Sequence, residues 1–146
     1  MLDVMRLDHG VGLPTPNYAT IGSSGMDVCA AIGSDEVIIL PSMERKLIPT
    51  GFCFAIPDNY EIQVRSRSGL SLHNGIAVLN SPGTIDSDYR GELQILLINF
   101  SDTPFVVRRG DRIAQIVLTP VVRAKLREVP SLDLTIRDKD GFGSTG

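Results

Sequence analysis

The stretch Asn80-Ser81-Pro82-Gly83-Thr84-Ile85-Asp86-Ser87-Asp88-Tyr89-Arg90-Gly91-Glu92 lies between two apolar runs, Ile76 to Leu79 and Leu93 to Ile98. Pro82-Gly83 is a turn signal, because proline presets one backbone dihedral and glycine tolerates the reversed one. Two apolar runs around a turn-rich centre predict two strands joined by an irregular hairpin. A loop held at both ends fixes side chains that a free loop does not, and binding residues concentrate on such loops. This one carries two carboxylates, an aromatic ring and an arginine. Taken alone, it reads equally as a solvated turn in which Asp86, Asp88 and Arg90 trade surface ion pairs.

Outward from the hairpin, short β-prone runs recur between turn residues. Val37 to Leu40 is one, ending at Pro41. Lys46 to Ile48 and Gly51 to Ile56 are predicted as two strands split by Pro49-Thr50. Tyr60 to Val64 alternates apolar and polar residues, as a half-buried strand does. Phe105 to Val107 and Arg112 to Val122 complete the set. Ser68 to Asn74 is predicted as one short helix, with Ser68 as its cap and Asn74-Gly75 as its stop. No stretch keeps an amphipathic helical period over three turns. The expected fold is therefore all-β, a sandwich or barrel. The first two dozen residues read as an extended lead-in to a turn at Ser23-Ser24-Gly25. From Pro130 onward apolar density falls, and Asp138 to Gly146 reads as a mobile tail.

Length and charge narrow the function. The 146 residues suit one domain, 1–146, with a sizeable core. A net charge of -3 implies no broad cationic surface, so no nucleic-acid partner is expected and any phosphate must be met by local basic groups. No apolar run approaches the roughly 18 residues of a membrane span. Met1 to Arg6 lacks the apolar core of a secretory signal. Cys29 and Cys53 have neither metal-ligand spacing nor the number for a disulfide framework, so a reduced pair in a cytoplasmic protein is expected. His9 and His73 are too isolated to suggest a metal cage.

Four further blocks accompany the hairpin. They are Ser24-Gly25-Met26-Asp27-Val28-Cys29-Ala30, Arg67-Ser68-Gly69-Leu70, Gly110-Asp111-Arg112-Ile113-Ala114-Gln115 and Gly141-Phe142-Gly143-Ser144-Thr145-Gly146. Five blocks in this order and spacing resemble the five motifs of the trimeric dUTP pyrophosphatase (dUTPase) family. The resemblance implies a distorted jelly-roll barrel that packs as a homotrimer. It also implies active sites at subunit boundaries, each closed by residues 130–146 of a neighbour.

The resemblance further implies a role for particular residues. Asp86 matches the carboxylate that orients and deprotonates the attacking water. Asp88 matches a second acid, read as structural and fixing the loop, and Asp27 matches an acid assigned to supporting the site or its metal-water shell. Tyr89 matches the ring that packs against deoxyribose, leaving no room for a 2′-hydroxyl. Asn80, Thr84 and Ile85 belong to the segment that reads uracil, and Phe142 matches the ring that stacks over it. Arg67, Ser68, Gly69 and Gln115 match phosphate-binding positions, and so do Arg137, Ser144 and Thr145 in the tail. Mg²⁺ is implied as an ion carried in by the triphosphate, which retains several waters and needs no dense carboxylate cage. Asp111 and Arg112 are read as structural. Two departures stand out. Ser66 occupies a position where the family has proline, and Asp138 and Asp140 stand where it usually has glycine. A dCTP deaminase of the same fold and a non-catalytic nucleotide-binding regulator are the rival readings.

Overall fold

A computed structural model describes residues 1–141. The chain is all-β, with one short helix. The strands are β1 (Asp3–Arg6), β2 (Met26–Cys29), β3 (Val37–Leu40), β4 (Arg45–Ala55), β5 (Tyr60–Arg65), β6 (Ile76–Val78), β7 (Gly83–Ile85), β8 (Glu92–Asn99), β9 (Phe105–Arg108) and β10 (Arg112–Pro120). Helix α1 spans Ser68–Asn74. One four-stranded sheet has the order β1-β4-β8-β6 and the other β2-β10-β5-β7, while β3 and β9 form a separate pair. All pairings are antiparallel.

The core lies between the two larger sheets. Along β8, Leu93, Ile95 and Leu97 are buried while Gln94 is exposed, the period of two that a strand imposes. They meet Ile62 and Val64 of β5 and Ile116 of β10 in one apolar cluster. Each aliphatic side chain buried this way contributes about 1.5–3 kcal/mol relative to its exposed state. Two polar residues share the core, and both are satisfied. Thr50 donates its hydroxyl to Leu93 O at 2.6 Å. Asn99 donates to Leu40 O and Thr103 O and accepts from the Ser101 amide and hydroxyl.

The structure departs from three expectations. First, Pro49-Thr50 does not break β4. At Pro49 the strand has β8 on one side and no paired strand on the other, since β1 begins to pair only at Phe52 and the Ala31 N–H donates to Pro49 O at 2.8 Å; proline is tolerated where no ladder calls for its missing N–H. The interruption comes instead as a bulge at Gly51, at φ +75°, where the β4–β8 register shifts between Pro49 and Cys53. Second, the lead-in is not merely extended. Asp3–Arg6 pairs with Phe52 to Ala55, and a 3₁₀ turn follows at Asp8–Gly10. Third, Ser68 does not cap α1. It is the first helical residue, and Arg67 holds the cap position without a side-chain bond. The predicted stop does hold, since Gly75 adopts the left-handed conformation at φ 65°.

The predicted hairpin forms, with an addition. β6 pairs with β8 as expected. Between them the chain crosses to the opposite sheet, where Gly83, Thr84 and Ile85 pair with Val64, Gln63 and Ile62. The stretch thus bridges both sheets. Residues 121–141 carry neither helix nor strand.

Candidate functional site

Strand register builds the first group of side chains. Gln115 on β10 lies opposite Asp27 on β2 and opposite Arg65 on β5, so the three stand in a row across one sheet face. Arg67, just past the end of β5, folds back onto this row. Its Nε donates to Asp27 Oδ1 at 3.0 Å and its Nη1 donates to Arg112 O at 3.0 Å. Arg112 donates to the other Asp27 oxygen at 3.2 Å. Ion pairs this accessible contribute about 0–1 kcal/mol to stability, so their effect is to aim the arginines. Arg67 Nη2 keeps no partner among the described residues and is left to meet an anion.

Gln115 is held in turn, its amide donating to Ser66 O at 3.0 Å. Gly25 makes room for it, because a Cβ there would lie 2.6 Å from Gln115 Oε1. Ser66, the departure from proline, is used as well. Its hydroxyl accepts the Val78 N–H at 2.9 Å and ties the end of β5 to β6. Asp27, Arg112 and Gln115 line a cavity of about 410 Å³, and Arg67 and Arg112 line a second of about 460 Å³. Cys29 borders the first, and burial, followed by the Asp27 charge, pushes its thiol up. It stays protonated near neutrality and is no nucleophile there.

The hairpin presents the second group. Tyr89 N–H donates to Asp86 O at 3.2 Å, closing a turn over Asp86 to Tyr89. Arg90 staples that turn by donating to Ser87 O at 2.7 Å and Tyr89 O at 2.9 Å. The Tyr89 hydroxyl donates to Glu92 O at 3.0 Å, and its ring lies against Gly91 where any Cβ would collide. Gly83 is buried, and a Cβ there would press on Val64 at 3.1 Å and Asn80 Nδ2 at 3.2 Å. Thr84 faces outward on β7, while Ile85 packs toward the core. Among the described residues the Asp86 carboxylate has no hydrogen-bond or ion-pair partner. Asp86 and Asp88 line a third cavity of about 260 Å³, with Asn59, Glu61 and Arg123.

The structure therefore brings Asp27, Arg67 and Gln115 together and keeps Asp86 and Asp88 together, but the two groups line different cavities. Ser68 and Gly69 are exposed at the start of α1, beside Arg67. Arg137 is exposed, and its Nε donates to Asp140 O at 2.9 Å within a local turn. The expectations for Phe142, Ser144 and Thr145 fall outside the described residues. Arg112, read as structural, pairs with Asp27 and lines both the 410 Å³ and the 460 Å³ cavity. Its pairing with Asp27 spans 85 residues and has no local signature.

Among the described residues, no group of three or more His, Cys, Asp or Glu side chains is placed to hold a metal ion. Both Asp27 oxygens are engaged by guanidinium groups. These residues do not form a protein-built Mg²⁺ cage.

Fold and site define an antiparallel β protein with two arginines held on one carboxylate and, among the described residues, an unpartnered carboxylate on a hairpin that is pinned at both ends. The dUTPase family model matches residues 12–146. The deoxyuridine 5'-triphosphate nucleotidohydrolase of Zymomonas mobilis is 56% identical over 99% of this chain and 97% of its own length. That of Brucella melitensis biotype 1 is 52% identical, over 99% of this chain and 92% of its own. The Staphylococcus bacteriophage 80alpha dUTPase solved with dUPNHPP superimposes with a TM-score of 0.87 at 25% identity, covering 100% of this chain and 98% of that one. The chain belongs to the dUTPase family.

Proposed function

We propose that the protein hydrolyses dUTP to dUMP and pyrophosphate. The observation that carries the reading is the Asp86 carboxylate, without a partner among the described residues, on a hairpin fixed to both sheets in a chain that keeps all five family blocks. A partnerless carboxylate on a rigid support is suited to hold a water and take its proton. The water oxygen attacks the α-phosphorus in line, the bond from that phosphorus to the bridging oxygen breaks, and pyrophosphate leaves. Asp27 and Asp88 support the site. The consequence is less uracil available for DNA and a supply of dUMP for thymidylate synthesis.

Each recognition task has its residues. Arg67, Ser68, Gly69 and Gln115 meet phosphate oxygens, as a charged fork, a hydroxyl, an open backbone and an amide are able to do. Asn80, Thr84, Ile85 and the hairpin backbone read uracil. Its O4 acceptor and N3 donor are reversed in cytosine, and stranded polar groups discriminate strongly. Tyr89 packs on the deoxyribose. Phe142 stacks on the base, and Arg137, Ser144 and Thr145 close on the terminal phosphates. Mg²⁺ enters with the triphosphate and neutralises part of its charge, keeping water ligands in place of a protein cage.

The assembly is a homotrimer with sites at subunit boundaries. In support, one chain leaves its Asp86 group and its Arg67 group in different cavities. Residues 130–146 of a neighbour form the closing arm. No helix among the described residues is long and apolar enough to cross a membrane. Both cysteines are buried and unbridged, in keeping with a cytoplasmic, reducing location.

The test is to incubate the protein with dUTP, dCTP, dTTP and UTP, with and without chelator, and follow pyrophosphate and ammonia. Pyrophosphate from dUTP alone is expected. Ammonia from dCTP would replace this reading with the deaminase, and binding of dUTP without turnover with the regulator. Light scattering should give the mass of three chains, and a monomer mass would overturn the shared site.

A further inference from the structure

Glu92 ends the hairpin, and both its carboxylate and its carbonyl are engaged. Its Oε1 accepts the Gly51 N–H at 2.7 Å and His9 Nε2 at 2.7 Å. A carboxylate only accepts, so His9 Nε2 carries the proton. Its carbonyl accepts the Tyr89 hydroxyl. Gly51 is the β4 bulge, and its own carbonyl accepts the Leu7 N–H at 2.9 Å. The Gly10 and Gly51 backbones touch so closely that a Cβ on Gly10 would lie 2.6 Å from Gly51 O. Arg109 secures the same corner by donating to His9 O at 2.9 Å. One carboxylate thus joins the N-terminal turn, the bulge and the hairpin exit.

The ladder alone does not fix this point. The β4–β8 register breaks between Pro49 and Cys53, and Glu92 pairs with Cys53 only beyond the break. Tyr89 has no hydroxyl partner but Glu92 O among the described residues, and the residue is 46% exposed. A ring tethered to one carbonyl is placed only as well as that carbonyl is. We propose that Glu92, braced by His9, is a positioning residue that sets the Tyr89 ring and through it the preference for deoxyribose over ribose. The inference rests on the dUTP reading above. It assigns a task to two residues through the contacts they make with other residues of the chain.

The experiment measures kcat and KM for dUTP and UTP with full-length wild type, Glu92→Ala, Glu92→Gln and His9→Ala. In Glu92→Ala the dUTP-over-UTP ratio of kcat/KM should fall about tenfold, mainly through a higher KM for dUTP. Glu92→Gln keeps an oxygen for the Gly51 amide and should restore most of the ratio, with His9→Ala falling in between. The His9 side chain is 43% exposed, so His9→Ala should fold and decides the matter if Glu92→Ala does not. An unchanged ratio in the folded variants, whatever happens to their melting temperature, overturns the positioning role and leaves the dUTP reading intact. A wild type that does not cleave dUTP removes both.

Discussion

The hairpin at residues 80–92 and the segment at residues 121–141 both lie outside the long strands, yet they are held in opposite ways. The hairpin is paired to β5 through Gly83, Thr84 and Ile85, stapled by Arg90 and anchored through Glu92 to two other segments. In the tail, Val122, Leu126, Leu132, Leu134 and Ile136 are each at least 85% exposed. The side-chain hydrogen bonds of Thr135 and Arg137 reach only three residues along the chain. A folded chain rarely leaves so many apolar side chains in water without a use for them. The difference teaches where each task belongs. In the function proposed above, aiming a water would need a fixed carboxylate, whereas closing over a substrate would need a segment left free to make its contacts outside its own barrel.

The largest expected effect tests the fixed half. Asp86→Asn should lower dUTP turnover about 10²–10⁴-fold while dUTP binding, followed by titration calorimetry, stays nearly intact. Undiminished turnover would mean that the hairpin is held for some other purpose. Next comes the tail. Deleting residues 137–146 should reduce kcat/KM for dUTP by about tenfold or more, the loss expected for one base-stacking ring. Its melting temperature should stay within about 2 °C of wild type, because residues 137–141 are exposed and the side-chain hydrogen bonds of Thr135 and Arg137 stay within residues 135–140. A large drop in melting temperature would break the comparison.

A matched pair of glycine substitutions sharpens it further. Gly91→Ala drives a methyl into the half-exposed Tyr89 ring, which must swing away and give up its bond to Glu92 O, and should cost about 0.5–1.5 kcal/mol of stability by denaturant titration. Gly141→Ala meets nothing within 4 Å and should leave stability unchanged. Equal effects would erase the contrast. The smallest effect concerns the thiols of Cys29, beside Asp27, and Cys53, opposite Glu92. Burial pushes both above their ordinary value of 9.0, with Asp27 adding to the shift of Cys29 and Glu92 to that of Cys53. The folded chain therefore holds these protons more tightly than the unfolded chain. Stability should fall as pH rises through the ordinary thiol range and show no thiol-dependent slope below it. Melts of wild type against Cys29→Ala and Cys53→Ala at rising pH would check this, since each substitution should flatten the fall.

Much of the fold was legible in short stretches. The β-branched run Val37 to Leu40, the alternation over Tyr60 to Val64 and the helix stop at Gly75 all act over a few residues, and all stand where they were expected. The β4 prediction failed for an equally physical reason. Pro49 looks like a strand breaker unless one knows that no strand pairs on its other flank, where the one bond made is the Ala31 N–H to the Pro49 carbonyl and no proline N–H is needed. The site divides in the same way. Asp86, Tyr89 and Arg67 announce themselves by motif, while Arg112, Ser66 and Glu92 gain their partners across long stretches of chain.

By itself, the order of residues determined the family, the all-β character and the types of side chain available for a nucleotide, because motif and periodicity are properties of near neighbours. Only the tertiary structure decided that β7 crosses to β5, that Asp27 holds two arginines and that Asp86 opens into a different cavity from Gln115. Those outcomes depend on which faces bury together and in which register. That choice is made by the whole core at once, and no window along the chain contains it.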